Sequence, residues 1–206
     1  PRVYEKVMAR AYENARAAGG LKHAIFHWAV RVGRANLDNR LAERPSGFKL
    51  RLADKLVCSK IRERMGGRFQ LAASGGAPLA RDVAEFFWGA GVRIFEGYGL
   101  TETSPVLTVN RQRRVRLGTV GPTVEGVELR IADDGEILAR GPNIMKGYFG
   151  KPDATAEVID REGWFHTGDI GHVDADGFVV ITDRKKELIV NAYGKNIAPA
   201  PIENAL

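Results

Sequence analysis

The spacing of apolar positions changes character along the chain. Tyr4, Val7, Met8, Ala11, Tyr12 and Ala15 recur at helical intervals, and Gly19-Gly20 stops the run. Leu21, Ala24, Ile25, Trp28 and Val32 form a second helical stripe. Arg44-Pro45-Ser46-Gly47 reads as a loop. Leu52, Leu56, Val57 and Ile61 form a third stripe, closed by Gly66-Gly67, and Cys58 falls on the same predicted face. Phe69 to Ala73 is a short strand candidate that runs into Ser74-Gly75-Gly76-Ala77-Pro78. Pro78 suits the first turn of a helix whose buried face is Val83, Phe86 and Phe87 and whose end is marked by Gly89 and Gly91. Val92 to Phe95 is the next strand. This strand–loop–helix–strand order predicts a parallel βαβ unit with a site at its strand ends.

From about Leu117 the pattern reads as all-β. Residues 127–131 and 136–139 flank Asp133-Asp134-Gly135, and residues 170–173 and 178–181 flank Asp174-Ala175-Asp176-Gly177. Both are hairpin signals. The fold class expected is α/β: a helical N-terminal segment, a parallel βαβ unit, and a small antiparallel β-barrel-like part.

Composition narrows the function classes. The apolar fraction of 44% allows a sizeable core. No apolar run reaches the ~18–20 residues of a membrane span. The single cysteine, Cys58, excludes an internal disulfide and a cysteine metal cluster, fits a reducing cytoplasm, and reads as a buried structural thiol. The net charge of +6 is uneven: residues 1–68 hold 16 Lys and Arg against 6 Asp and Glu, the remainder 15 against 19. The basic residues follow helical patterns without interleaved aromatics, which argues against nucleic acid. The opening Pro1-Arg2-Val3-Tyr4 and the closing Glu203-Asn204-Ala205-Leu206 give the expectation of an internal piece of a longer protein.

Four segments carry candidate chemistry. Ser74-Gly75-Gly76-Ala77-Pro78-Leu79 would let a flat ring or acyl chain approach the backbone. In Glu96-Gly97-Tyr98-Gly99-Leu100-Thr101-Glu102-Thr103-Ser104-Pro105 an aromatic ring suited to a purine lies between glycines. It is followed by a hydroxyl suited to a phosphate oxygen and a carboxylate suited to Mg²⁺. Gly163-Trp164-Phe165-His166-Thr167-Gly168-Asp169 presents a carboxylate able to accept from ribose hydroxyls, with His166 a polar contact rather than a catalyst. Thr182-Asp183-Arg184-Lys185-Lys186-Glu187-Leu188-Ile189 offers the forked donor of Arg184.

Together these segments resemble the adenylate-forming superfamily of acyl-CoA synthetases, luciferases and peptide-synthetase adenylation domains. They are most similar to long-chain fatty acid–CoA ligases. Gly194-Lys195-Asn196-Ile197-Ala198-Pro199 and the opening Pro1 to Val7 extend the likeness over essentially the whole chain. The resemblance implies ATP, Mg²⁺ and coenzyme A, and a two-step reaction that activates a fatty acid as its adenylate and passes it to the thiol. It implies that Gly75, Gly76 and Ala77 border the adenine and the acyl carbonyl. Glu96, Gly97, Tyr98 and Gly99 would belong to the nucleotide-binding string, with Tyr98 on the adenine. Thr101 and Glu102 would be catalytic, on the α-phosphate and Mg²⁺ respectively. Asp169, with Arg184 beside it, would bind the ribose and Ile181 would touch the nucleoside. Lys186 would be the hinge of a C-terminal lid and Gly194 would lie near coenzyme A. Residues 1–116 and 117–185 would then belong to the large adenylation domain and 186–206 to the hinge and the start of the lid.

The family's Ser/Thr/Gly-rich phosphate loop and its late lid lysine have no counterpart in these residues, so the chain by itself is expected to lack useful ligase activity. Alternatives are a fatty acyl-AMP ligase serving a carrier protein and a non-catalytic nucleotide-binding fragment. A cytoplasmic location is expected, with peripheral membrane contact and a homodimer left open.

Overall fold

The computed structural model describes residues 2–69, 71–187, 189–190 and 196–197, with the side chains of 187, 189, 190, 196 and 197 not described. The chain divides into two compact units: residues 1–96 with 111–118, and residues 97–110 with 119–206.

The first unit begins with α1 (Arg2–Ala18) and α2 (Gly20–Ala35), followed by a short α3 (Leu37–Leu41). The second helix buries Phe26, Ala29 and Gly33, while Leu21 of the expected stripe is 76% exposed. The reason is a backbone crossing. A Cβ on Gly33 would lie 2.7 Å from the carbonyl oxygen of Gly89, so only glycine fits where α2 meets α6 (Arg81–Gly89).

The third stripe also shifts. Helices α4 (Phe48–Ala53) and α5 (Ser59–Arg64) are joined by a π turn, Asp54–Cys58. Each i→i+5 bond rotates the following residues relative to an α-helix. Leu50, Ala53, Val57, Cys58 and Ile61 are therefore buried, whereas Leu52 and Leu56 are partly exposed. The π turn is clamped by Arg62, which reaches Asp54 through both terminal nitrogens at 2.7 and 2.8 Å and donates to Ala90 O at 2.6 Å. Burial pushes the Cys58 thiol up to about 11, as suits a structural cysteine.

Strand β1 (Leu71–Ser74), α6 and β2 (Arg93–Tyr98) form the expected parallel βαβ unit, with Leu71 opposite Arg93 and Ser74 opposite Glu96. Helix α6 starts three residues beyond Pro78. Leu79 is buried in the core and its amide donates to the Glu96 carboxylate, so the chain stays extended until Ala80, whose carbonyl accepts from Val83 and Ala84. Phe86, Phe87, Val83, Ala84, Val92 and Ile94 join Phe26, Ala29, Val57 and Ile61 in one core. Trp88 donates its indole N–H to Ile94 O.

In the second unit, β2 continues past the expected end because Gly97 and Tyr98 pair in antiparallel fashion with β3 (Thr108–Val109). Strands β4 (Glu128–Ile131), β5 (Glu136–Arg140), β6 (Phe165–Val173) and β7 (Val179–Arg184) form an antiparallel sheet in sequential order. The two predicted hairpins are its outer pairs. Residues 119–124 run between two neighbours. Val109 and Val124 donate to Pro122 O and Leu107 O on one side, and Val120 and Val179 exchange bonds with Val179 O and Gly121 O on the other. A short helix, α7 (Pro152–Val158), interrupts what the sequence pattern presents as all-β; Pro152 at its start and Asp153 in its first turn are helix-start signals. No described helix is long and apolar enough to cross a membrane.

Candidate functional site

The core of the site is a carboxylate held by two bulges. Along β6, His166 faces Leu138 and Ile170 faces Glu136, so residues 167–169 bulge from the β5 ladder. Thr167 fills the gap. Its hydroxyl donates to Ile137 O at 2.7 Å and accepts the Asp169 amide at 3.1 Å. Gly168 takes a left-handed φ of 72°, which favours glycine, and its amide donates to Glu136 Oε1 at 2.9 Å. On the other edge β7 bulges at Thr182, leaving Asp169 directly opposite Arg184. Bulges re-aim side chains out of a regular sheet, and here the residue re-aimed is Asp169.

The Tyr98 hydroxyl donates to Asp169 Oδ2 at 2.6 Å, and Arg184 Nε donates to Oδ1 at 3.1 Å. The carboxylate is buried, yet each oxygen keeps acceptor capacity for a hydroxyl. Burial, then the neighbouring carboxylate, pushes the Tyr98 phenol well above its ordinary range, so it stays a donor.

The loop after Tyr98 is braced within the same unit. Thr101–Thr103 forms a 3₁₀ turn, Ser104 is left-handed, and the Thr103 hydroxyl accepts the Leu100 amide and lies 2.8 Å from Pro105 O. Asn143 donates to Thr103 O and Val106 O, and the Met145 amide donates to Glu102 O. Gly99 is fixed by proximity: a Cβ there would sit 1.6 Å from Pro105 O. Thr101 is left exposed, and Glu102 is half-buried with Oε1 accepting the Tyr148 hydroxyl at 3.0 Å.

The structure thus brings Tyr98, Asp169 and Arg184 together, and gives Glu102 a partner, Tyr148, that sequence reasoning missed. It also missed Glu136 and Asn143, and it named Thr167 only as part of the string before Asp169, without its bond to Ile137 O. Their partners lie tens of residues away or on backbone atoms, so periodicity carries no trace of them; only the glycine-flanked run Arg140 to Tyr148 hinted at a built loop. Ile181 is half-buried opposite Gly171, and Lys186 is exposed in the 3₁₀ turn Lys185–Glu187. Gly194 lies outside the described residues.

Gly75, Gly76 and Ala77 form an exposed loop after β1 in the first unit. Glu96 is in that unit too. The residue is 8% exposed, and burial raises its carboxyl to about 7 against the pull of the Leu79 and Gly118 amides.

Residues 1–149 match the family described as AMP-binding enzyme. The chain belongs to the AMP-binding enzyme family.

Among curated relatives of this family member, the putative fatty-acid–CoA ligase fadD11 of Mycobacterium tuberculosis is 45% identical over 212 residues, covering 100% of this chain and 37% of its own length. Long-chain fatty-acid–CoA ligase FadD15 of Mycobacterium bovis is 46% identical over 210 residues, again 100% of this chain and 34% of its own. Human long-chain fatty-acid–CoA ligase ACSBG1 is 40% identical over 215 residues, 100% of this chain and 29% of its own. The chain therefore spans about a third of the length of the relatives it matches. Among solved structures, O-succinylbenzoate coenzyme A synthetase of Bacillus subtilis in complex with AMP covers 80% of this chain and 39% of its own at 26% identity and a TM-score of 0.61. The ATP-bound RpMatB-BxBclM chimera B1 covers 64% of this chain and 28% of its own at 36% identity and a TM-score of 0.59. The fold is that of adenylate-forming enzymes.

Proposed function

We propose that this chain is part of an AMP-forming long-chain fatty acid–CoA ligase. The observation that carries the reading is the buried Asp169 carboxylate between the Tyr98 phenol and the Arg184 guanidinium; in this reading its remaining acceptor capacity takes the two hydroxyls of one ribose. Relatives named as fatty-acid–CoA ligases support the substrate class. Complexes of the structural neighbour O-succinylbenzoate coenzyme A synthetase with AMP, and with ATP and magnesium ion, support the nucleotide.

In this reading a fatty carboxylate attacks the α-phosphorus of ATP. A new C–O–P link forms, the α–β bridge breaks, and pyrophosphate leaves. The coenzyme A sulfur then attacks the activated carbonyl, forming the thioester and releasing AMP. Residues 1–185 serve as part of the large adenylation domain and 186–206 as the hinge and start of the lid. Tyr98 packs on the adenine. Asp169 and Arg184 hold the ribose beside Ile181. Thr101, exposed on its turn, donates to an α-phosphate oxygen. Lys186 is the hinge and Gly194 borders the coenzyme A path. Glu102 fits Mg²⁺: it is a hard oxygen donor on a braced loop with its side chain held by Tyr148 from one oxygen only. Mg²⁺ bound with ATP would neutralise charge gathering on the leaving pyrophosphate. Protein work is mostly positioning and charge neutralisation.

The test uses the full-length parent. ATP–pyrophosphate exchange that depends on a long-chain fatty acid, followed by thioester formation with free coenzyme A, is the expected result. A parent inert with ATP and every fatty acid refutes the reading. Adenylate formation without transfer to free coenzyme A points instead to an acyl-AMP ligase.

A further inference from the structure

Glu136 opens β5 and is 4% exposed, a costly place for a charge unless it is fully bonded. Its two oxygens are both used. Oε1 accepts the Gly168 amide at 2.9 Å. Oε2 accepts Lys185 Nζ at 2.8 Å and faces His166 Nδ1 at 3.1 Å. Burial raises this carboxyl, but Lys185, His166 and the Gly168 amide together hold it below its usual range. Lys185 is also tied to Asp134 Oδ2 at 2.7 Å.

The residues gripped are not arbitrary. Asp169 and Arg184 face each other across β6 and β7. Gly168 immediately precedes the first of them, and Lys185 immediately follows the second. One buried carboxylate therefore holds a neighbour of each partner of the ribose-binding pair. Both sites it grips lie where the regular ladder fails. Gly168 sits in the bulge of β6, and Lys185 starts the 3₁₀ turn that carries Lys186. A bulged amide and the first residue beyond the end of a strand are points where the sheet constrains the chain least.

We propose that Glu136 is a positioning residue: it fixes the Thr167–Asp169 bulge through Gly168 and, through Lys185, anchors the near side of the hinge, so that lid rotation begins at Lys186 and leaves the ribose pair undisturbed. This rests on the ligase reading for its catalytic consequence, though not for its geometry.

Variants of the full-length parent separate the two grips. Glu136→Gln keeps an oxygen for the Gly168 amide and loses the charge that holds Lys185. Lys185→Met loses only the hinge-side grip. Glu136→Ala loses both. Hydrogen exchange of the backbone amides reads positioning without any activity. Exchange at residues 185–187 is expected to quicken at least tenfold in all three variants, and exchange at Gly168 and Asp169 only in Glu136→Ala. Unchanged exchange at both places overturns the proposal whatever the enzyme does.

The half-reactions then read the consequence. Glu136→Gln and Lys185→Met are expected to slow thioester formation from preformed acyl-adenylate about tenfold, while KM for ATP in pyrophosphate exchange stays within twofold. Glu136→Ala is expected to raise that KM about tenfold as well. A fall of both half-reactions in equal proportion, tracking the amount of folded enzyme, would mean that Glu136 is merely structural. A wild-type parent without adenylation sinks the ligase reading but leaves the exchange result to decide the positioning claim.

Discussion

In the first unit the largest fully buried side chains are Phe87, Trp88, Leu50, Ile94, Val83 and Val92, and its helices approach until glycine backbones meet at Gly33 and Gly89. In the second, Leu107, Ile137 and Val179 are fully buried too, but Thr103, Thr108, Asn110, Thr119, Glu136, Thr167, Asp169 and Asp183 are buried beside them, and among the described residues only Ser74 and Glu96 of the first unit are buried polar groups. The two units answer to different penalties. A packed apolar core is sensitive to volume, because neighbours cannot close a void. A buried polar network is sensitive to completeness, because each orphaned donor or acceptor keeps its desolvation cost. A carboxylate proposed to hold ribose hydroxyls must be preorganised by hydrogen bonds, so the second kind of interior is the one that suits the proposed site.

The contrast can be broken most forcefully in the first unit. Phe87→Ala removes a ring that is 0% exposed and in edge contact with Tyr4 and Phe86. A loss of about 3–5 kcal/mol is expected. Native-state hydrogen exchange should place it in amides of residues 71–96, and a loss spread evenly over β4–β7 would erase the distinction drawn between the units.

Glu96 is a buried acid within that unit, and pH exposes it. Its folded value of about 7 lies above the usual 4.5, so the unfolded chain loses this proton first as pH rises. The native state then binds more protons, and stability falls between roughly pH 4.5 and 7, by at most about 3 kcal/mol. Glu96→Gln should abolish that slope in denaturant titrations at pH 5 and 8. A variant with the wild-type slope would show that another group causes it.

In the second unit a change of nearly constant volume should already be felt. Thr167→Val leaves the Asp169 amide without its acceptor and Ile137 O without its donor. About 1–2 kcal/mol should be lost, with weaker protection of the Asp169 amide, although the valine fills the same space. A neutral result would mean that volume governs both units. At the other extreme, Glu128 pairs with Arg140 on the surface at 2.7 Å. Glu128→Gln should leave the denaturation midpoint where it was, since solvent and salt screen such pairs.

What the sequence discloses follows the same division. The hairpins at Gly135 and Gly177 and the parallel βαβ unit are legible because local turn chemistry and apolar periodicity specify them. The face of α4–α5 is not, because a π turn changes the angular step and no residue type announces it. Helix α7 was masked by the strand-rich pattern around it. At the site, Tyr98, Glu102, Asp169 and Arg184 stand in distinctive strings. Glu136 and Tyr148 work through partners 30 to 49 positions away, and nothing local marks them; Thr167 stands in the string before Asp169, but its bond to Ile137 O spans 30 positions.

Gly99 gives the distinctive string a second meaning. The Pro105 carbonyl forbids any side chain there, and that prohibition holds with or without nucleotide. Part of what makes residues 96–105 recognisable is thus a signature of a turn, shared by any descendant that keeps the turn, working or not. A genome survey that scores the glycines would gather relics along with enzymes. One that scores Tyr98, Thr101 and Glu102, the residues proposed above to meet nucleotide and Mg²⁺, separately from Gly99 would sort the two.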